Sequence, residues 1–364
     1  MRIHNQTPGA HQTTMAGEQD GANRGVTMDE VARAAGVSQA TVSRVVNGNP
    51  RVTLTTRRQV ERTIERLGFV PNSAARTLVT RRSDSIGVLI PEPTSRVFGD
   101  PFFAQVLRGV SSALTARRQK LVLFLPQSDE EETELQGYLG AGHVDGVIMY
   151  SLHGDDPLPD QLRRRGVPVV VGGRPPSGSR VSYVDYDNRG GALAATGHLI
   201  EVGRKTIATI SGPLDMSAAV DRLAGHRDAL RAAGIEPTDE LEVAGDFTQE
   251  SGIRSMEELL ARRPDLDAVF AANDVMATGA MQVLERAGRV VPDDVAIVGF
   301  DDLPVALTTR PPLSSVRQSL DFLGRELVNV LLESIEHRES IARKVVLETQ
   351  LVVRESSGGV PTTS

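Results

Sequence analysis

The 364-residue chain contains no cysteine. Disulfides, thiolate metal sites, iron-sulfur clusters and cysteine nucleophiles are therefore excluded, and the composition suits a reducing compartment. No apolar run approaches the ~20 residues that a membrane helix needs. Residues 1–24 (MRIHNQTPGAHQTTMAGEQDGANR) also lack the apolar centre of a signal peptide. A cytoplasmic protein with no membrane partner is expected. Catalytic motifs are missing too: there is no glycine-rich phosphate loop ending in Lys-Ser/Thr, no His-Glu-x-x-His and no nucleophile elbow. The seven histidines are scattered, His198 and His226 within helical stretches, so no metal, no cofactor and no enzymatic activity is expected.

What is present is a soluble globular composition, 40% hydrophobic and 24% charged, on a chain long enough for two or three domains. The net charge of -7 conceals an asymmetry. Arg24 to Arg82 holds eleven arginines and no lysine against Asp29, Glu30, Glu61 and Glu65, a local +7, while residues 83–364 carry -13. A small basic module beside a large acidic one points to a polyanion at one end and a separate task at the other.

Within the basic module, Thr27-Met28-Asp29-Glu30 has the spacing of a capping box, in which Thr27 and Glu30 satisfy free helix-start amides reciprocally. Met28, Val31, Ala32 and Ala35 follow at helical spacing. Gly36-Val37 breaks that helix, and Ser38 caps a second with an inner face of Val42, Val45 and Val46, stopped by Asn47-Gly48. A third helix is predicted after Thr55, with Val60, Ile64 and Leu67 inside, ending at Gly68 and Pro71. Helix, glycine turn, helix is a helix-turn-helix pattern. The outward face of the second helix carries Gln39, Ala40, Ser43 and Arg44. Such side chains can meet base edges: Arg bidentate to guanine, Gln to adenine, Ala against a thymine methyl.

From Ser85 onward, short apolar runs alternate with amphipathic stretches. Strands are predicted at residues 86–90, 121–125, 146–149, 167–171, 206–210, 268–271 and 295–299, with helices over 101–118, 188–202 and 274–287. Alternation of this kind means parallel sheets covered by helices, and the stretch is too long for one sheet, so two lobes are expected. Ligands in such sheets sit beyond the carboxyl ends of strands. There the sequence places Phe98, Asp100 and Phe102 after the first run, then Arg174, Asn273 and Asp301 after later ones. Carboxylates, an amide, a guanidinium and aromatic faces suit a sugar. The neighbouring Asp274 and Asp302 read as helix caps.

The run from Val26 to Leu78 resembles the DNA-binding headpiece of the lactose repressor family. TVSRVVNG, FVPNSAARTL, ANDVMATGA and VAIVGFDD stand in family order along nearly the whole remaining chain. The resemblance implies an all-α helix-turn-helix headpiece followed by a two-lobed, periplasmic-binding-protein-like α/β effector domain. It also implies a homodimer that binds double-stranded operator DNA and responds to a small molecule. Thr27, Ser38, Thr41 and Asn47 join the recognition-face residues as expected DNA contacts. The resemblance also implies that Asn72, Ala75, Arg76 and Leu78 form a hinge helix in the minor groove, with Leu78 as the wedge. In the effector domain Arg222, Asn273, Asp301 and Gln318 match family effector positions, with Phe247 as a wall; Arg222 also has Asp221 and Asp228 on its own helix as alternative partners.

The expected organisation is a tail (1–24), headpiece (25–71), hinge and linker (72–83), two-lobed domain (84–354) and flexible tail (355–364). By resemblance the N-lobe takes residues 84–185 and 318–348 and the C-lobe 186–317 and 349–354, with crossovers near Asp185, Gln318 and Leu347. PEPTSRVFGDPFF is similar to actinobacterial regulators of plant-polysaccharide sugars and favours a β-linked disaccharide. Met216 and Ala218 stand where purine responders are polar, and Asp100 and Asp301 would repel a phosphosugar. No heptads follow Val353, so the lobes rather than a coiled coil should form the dimer.

Overall fold

The computed structural model describes residues 26–70, 82–337 and 341–358. Asn72, Ala75, Arg76 and Leu78 lie outside the described residues, as do residues 1–25. Two compact units divide the chain, residues 1–80 and 81–364.

The first unit holds α1 (Met28–Ala34), α2 (Gln39–Val46) and α3 (Leu54–Leu67). Thr27 and Glu30 form the reciprocal capping box, and Ser38 caps α2 by accepting from the Thr41 amide. The third helix begins earlier than the sequence suggested. Its cap is Thr53, which has an extended backbone and whose hydroxyl accepts from the Thr56 amide, so Thr55 lies inside the first turn. Val31, Ala32, Ala35, Val42, Val45, Val60 and Phe69 make the buried centre of this unit.

The second unit is built on two six-stranded sheets. In the N-lobe the strands are β1 (Ser85–Leu89), β2 (Lys120–Phe124), β3 (Gly146–Tyr150), β4 (Val169–Gly172), β5 (Ser182–Tyr186) and β11 (Lys344–Leu347), all parallel, in the order β11-β5-β4-β3-β1-β2. The C-lobe holds β6 (Ile207–Ser211), β7 (Glu242–Ala244), β8 (Ala268–Ala271), β9 (Ala296–Asp301), β10 (Ser314–Arg317) and β12 (Gln350–Val352), in the order β12-β10-β9-β8-β6-β7. Among the described strands only β12 runs antiparallel to its neighbour. Among the described residues nine helices accompany the sheets: α4 (Thr94–Gly99), α5 (Pro101–Ala116), α6 (Asp129–Gly140), α7 (Leu158–Arg164), α8 (Asn188–Glu201), α9 (Ser217–Ala232), α10 (Gln249–Arg262), α11 (Asp274–Arg286) and α12 (Leu320–His337). Covered on both faces, β1, β8 and β9 are wholly buried and correspondingly apolar.

Three passages join the lobes: from β5 to α8, from β10 to α12, and from β11 to β12. Residues 355–358 are not the flexible tail expected of a Ser/Gly-rich stretch. Glu355–Ser357 makes a 3₁₀ turn in which Ser356 and Ser357 are buried. The Ser356 hydroxyl donates to the Ile297 carbonyl at 2.7 Å and accepts from the Ser314 amide at 2.8 Å. Ser357 meets Ser314 Oγ at 2.7 Å and His198 Nε2 at 2.8 Å. Small hydroxyls suit this position because each satisfies polar groups of β9 and β10 without adding bulk.

Helices α5 and α12 pack backbone to backbone. A Cβ added at Gly109 would lie 2.1 Å from the Asp321 carbonyl oxygen, and one at Gly324 would lie 2.3 Å from that of Val106. Backbone cannot step aside as a side chain can. Gly109→Ala and Gly324→Ala should therefore each lower stability by about 1–3 kcal/mol in urea titrations, through overpacking. Gly197→Ala in α8, where an added Cβ meets nothing within 4 Å, is the control. It should leave stability unchanged or raise it by up to about 1 kcal/mol, because alanine is the better helix former.

Candidate functional site

In the first unit, α2 turns Val42 and Val45 inward and leaves Gln39, Ala40 and Arg44 exposed, with Thr41 and Ser43 half-buried. The Arg44 side chain has no hydrogen bond or ion pair among the described residues. Its guanidinium is thus available to an outside acceptor. Thr27 and Ser38 spend their side-chain oxygens on helix caps, Thr41 Oγ1 lies 2.9 Å from Ser38 Oγ, and Asn47 donates to Ser43 at 3.3 Å. These four are oriented by the fold and set the frame around the exposed face.

In the second unit, a cleft of about 460 Å³ opens between the lobes at the carboxyl ends of the strands. Its walls bring together Asp100, Phe102, Arg174, Arg222, Phe247, Asn273, Asp301 and Gln318. Phe98 is the exception. It lies outside the lining and is 73% exposed, because the short helix α4 turns Val97 inward and Phe98 away.

Arg222, at 5% exposed, is the centre of the floor. Its Nε donates to Asn188 Oδ1 at 2.9 Å, its Nη1 donates to the Ala272 carbonyl at 2.5 Å, and its plane covers the Phe300 ring at 3.7 Å. Asp301 Oδ1 stands 3.5 Å from Nη1 and accepts from Gln318 Nε2 at 2.5 Å. The two same-helix acids are engaged elsewhere, Asp221 with Arg174 and Asp228 with Arg189. Burial pushes the Asp301 carboxyl up to about 7, against the downward pull of Arg222. The Asp301 backbone has φ 100, a sparsely populated conformation for a non-glycine residue and a mark of a constrained site.

Other expected residues combine lining with structural work. Asp100 caps α5 by accepting from the Phe102 amide at 2.9 Å. Asn273 caps α11 and donates to the Phe247 carbonyl at 3.0 Å, which fixes the wall on which that ring sits. The Phe247 ring faces two guanidinium groups, Arg96 from the N-lobe at 5.9 Å and Arg222 at 6.0 Å. Asp274 and Asp302 do not cap helices through their side chains. Asp274 accepts from the Leu303 amide and the Ser315 hydroxyl, and Asp302 pairs with Arg317 and Arg354.

Several lining or bridging groups were not found from the sequence. Tyr150, Asp185, Asn188 and Arg96 line the cleft. Burial raises Asp185 to about 6, although its Oδ1 accepts from the Tyr186 amide and from Asn188. His153 spans the lobes, with Nδ1 3.0 Å from Asp215 Oδ2 and Nε2 3.2 Å from Glu92 Oε1. Hydrogen bonding to Glu92, and then to Asp215, raises its pKa. A second link between lobes is Arg174 to Asp221 at 2.5 Å. The signal for Asp185 and Asn188 was present as a polar pair between a strand and a helix. The two links join residues far apart in sequence and left no local trace.

Comparison with known proteins agrees with both units. Residues 27–72 match the model described as bacterial regulatory proteins, lacI family, and residues 196–357 match a periplasmic binding protein-like domain. The HTH-type transcriptional regulator CelR of Thermobifida fusca is 50% identical over 333 residues, 91% of this chain and 98% of the relative. Catabolite control protein A of Priestia megaterium is 34% identical over 335 residues, 91% of this chain and 99% of its own. A solved transcriptional regulator CelR-cellobiose complex is 48% identical, covers 91% of this chain and 99% of that one, and has a TM-score of 0.73. The lac repressor dimer bound to operator and the anti-inducer ONPF is 28% identical, covers 92% and 99%, and has a TM-score of 0.81. The chain belongs to the lacI family of bacterial regulatory proteins and is a DNA-binding transcriptional regulator, not an enzyme.

Proposed function

We propose that this regulator works in the cytoplasm as a homodimer, occupying a near-palindromic operator and leaving it when a β-linked glucose disaccharide fills the cleft. The observation that carries the reading is the cleft itself. Arg222 and Asp301 sit at its floor, aromatic side chains line it, and ion pairs cross its mouth, a combination that fits a neutral polyhydroxylated ligand. The cellobiose bound by the CelR relative supports the choice of sugar. The dimer is assigned to the lobes.

The exposed face of α2 is assigned to the major groove, with Gln39, Ala40, Ser43 and Arg44 reading bases and Thr27, Ser38, Thr41 and Asn47 around them. Asn72, Ala75, Arg76 and Leu78 are assigned to the minor groove. Effector and operator are then linked by lobe geometry. A coupling of about 1–3 kcal/mol, typical of such switches, weakens operator binding about 5- to 150-fold when the cleft fills.

Selection from a random DNA pool should return a two-fold symmetric site, and cellobiose titrated onto that complex should release the protein within this range. A tightening of the complex by cellobiose would reverse the sign of regulation, and no effect would remove this sugar as effector. Arg44→Ala should lose about 1–3 kcal/mol of discrimination at one base pair per half-site while keeping its affinity for random DNA.

The cleft carboxylates also set a pH dependence. Asp185 in the folded protein keeps its proton up to about pH 6, whereas the unfolded chain releases it near the ordinary value of 3.8. Folded-state stability is therefore lost as pH rises from about 4 through 6. Asp185→Asn retains an acceptor for Tyr186 and Asn188 and removes the charge. Its advantage over wild type in unliganded unfolding experiments should be about 2 kcal/mol larger at pH 7.5 than at pH 4.5. Equal advantages at both values would mean that Asp185 is ionised freely.

A further inference from the structure

Gly172 closes β4 directly beside Tyr150, the last residue of β3, with which it pairs in register. Its φ lies outside the left-handed region, unlike that of Gly173 at +103°, so the backbone does not require glycine here. The neighbour does. A Cβ built on Gly172 would stand 2.0 Å from Tyr150 Cδ2 and 2.2 Å from Cε2, so the phenol ring already fills the space that any side chain would take.

The ring is held from its other sides as well. Phe102 packs against it with centroids 5.6 Å apart at 40°, and Phe103 braces Phe102 edge-on at 5.5 Å. The next residue, Ser151, has φ 60 and is tied to the buried Glu92 at 2.6 Å, which fixes the end of β3. Tyr150 lines the cleft, and its hydroxyl has no hydrogen-bond partner among the described residues, although Asp185, Asp301 and Arg222 are near enough to act on it electrostatically. A phenol in a ligand cleft with its donor unused is suited to a ligand oxygen.

We propose that Tyr150 and Gly172 act as one specificity device, in which the missing side chain at 172 admits an aromatic platform that selects gluco-configured pyranoses. The inference rests on the sugar reading above and deepens it. A pyranose with all hydroxyls equatorial presents only C–H groups on its faces and can lie on a ring. An axial hydroxyl on the face laid against that ring would be pressed onto it without a partner, which is costly. The Tyr150 hydroxyl then donates to an equatorial oxygen at the sugar edge.

Calorimetry on the full-length protein provides the test. The probes are cellobiose and two epimers of it that each carry one axial hydroxyl, with galactose in place of the non-reducing glucose or mannose in place of the reducing one. Wild type should bind one of these epimers at least about ten-fold more weakly than cellobiose, the loss expected when a buried hydroxyl is left unpaired. Tyr150→Ala should weaken cellobiose about ten-fold or more and erase the discrimination, and Tyr150→Phe should weaken cellobiose while keeping it. Gly172→Ala should resemble Tyr150→Ala because it displaces the ring. In the Tyr150→Ala background Gly172→Ala should cost nothing further, a non-additivity that a general folding defect would not give. Melting curves check that each variant is folded. Additive losses, or discrimination that survives Tyr150→Ala, overturn the device while leaving the sugar reading intact. A wild-type protein that binds none of the three sugars overturns both.

Discussion

A buried guanidinium needs every one of its partners, and much of the effector domain is arranged around that need at Arg222. A charge taken out of water is tolerated only where hydrogen bonds and an opposite charge replace its hydration. Arg222 finds them at Asn188, at the Ala272 carbonyl after β8 and at Asp301, with Phe300 beneath its plane. Asn188 stands at the end of the first inter-lobe passage, and Gln318, which donates to Asp301, lies in the second. The floor of the cleft and two of the three connections between lobes therefore share one network. A ligand that changes the environment of Asp301 acts on the hinges without any intervening relay.

The mouth of the cleft is organised on a different principle. Arg174–Asp221 and His153–Asp215 are partly exposed pairs, individually weak in water. Weak links suit surfaces that must separate. The floor is buried and hydrogen-bonded, the rim is partly exposed and exchangeable, and the contrast makes the rim the part that yields first when the lobes move.

The legibility of the sequence follows this division. Strands covered on both faces must be apolar throughout, so β1, β3, β6, β8 and β9 stood out as uninterrupted runs whose limits were within two residues of those observed. The segments SYVDY and SSVR of β5 and β10 did not, because their polar side chains serve the passages: Asp185 accepts from Asn188, and Ser315 donates to Asp274. The headpiece was readable almost to the residue, since capping boxes and glycine stops are local chemistry. Arg222 and Asp301 could be placed by resemblance, but periodicity gave no sign that Tyr150 and Gly172 share one volume. Phe98 was misplaced because a strand-end position identifies the neighbourhood of a cleft and not the side of a short helix that faces it.

The passages between lobes also bear on the order in which the molecule can be completed during synthesis. Each lobe takes elements from far along the chain: α12 and β11 in one, β12 and the Ser356–Ser357 turn in the other. The headpiece takes none, its buried centre lying between Val31 and Phe69. On a ribosome that releases the chain from the amino end, the headpiece can fold as a unit early, while both lobes wait for residues beyond Leu320. The nascent protein thus carries a finished DNA-reading surface before the sensor that governs it exists, and a stalled or truncated product would retain the address without the control.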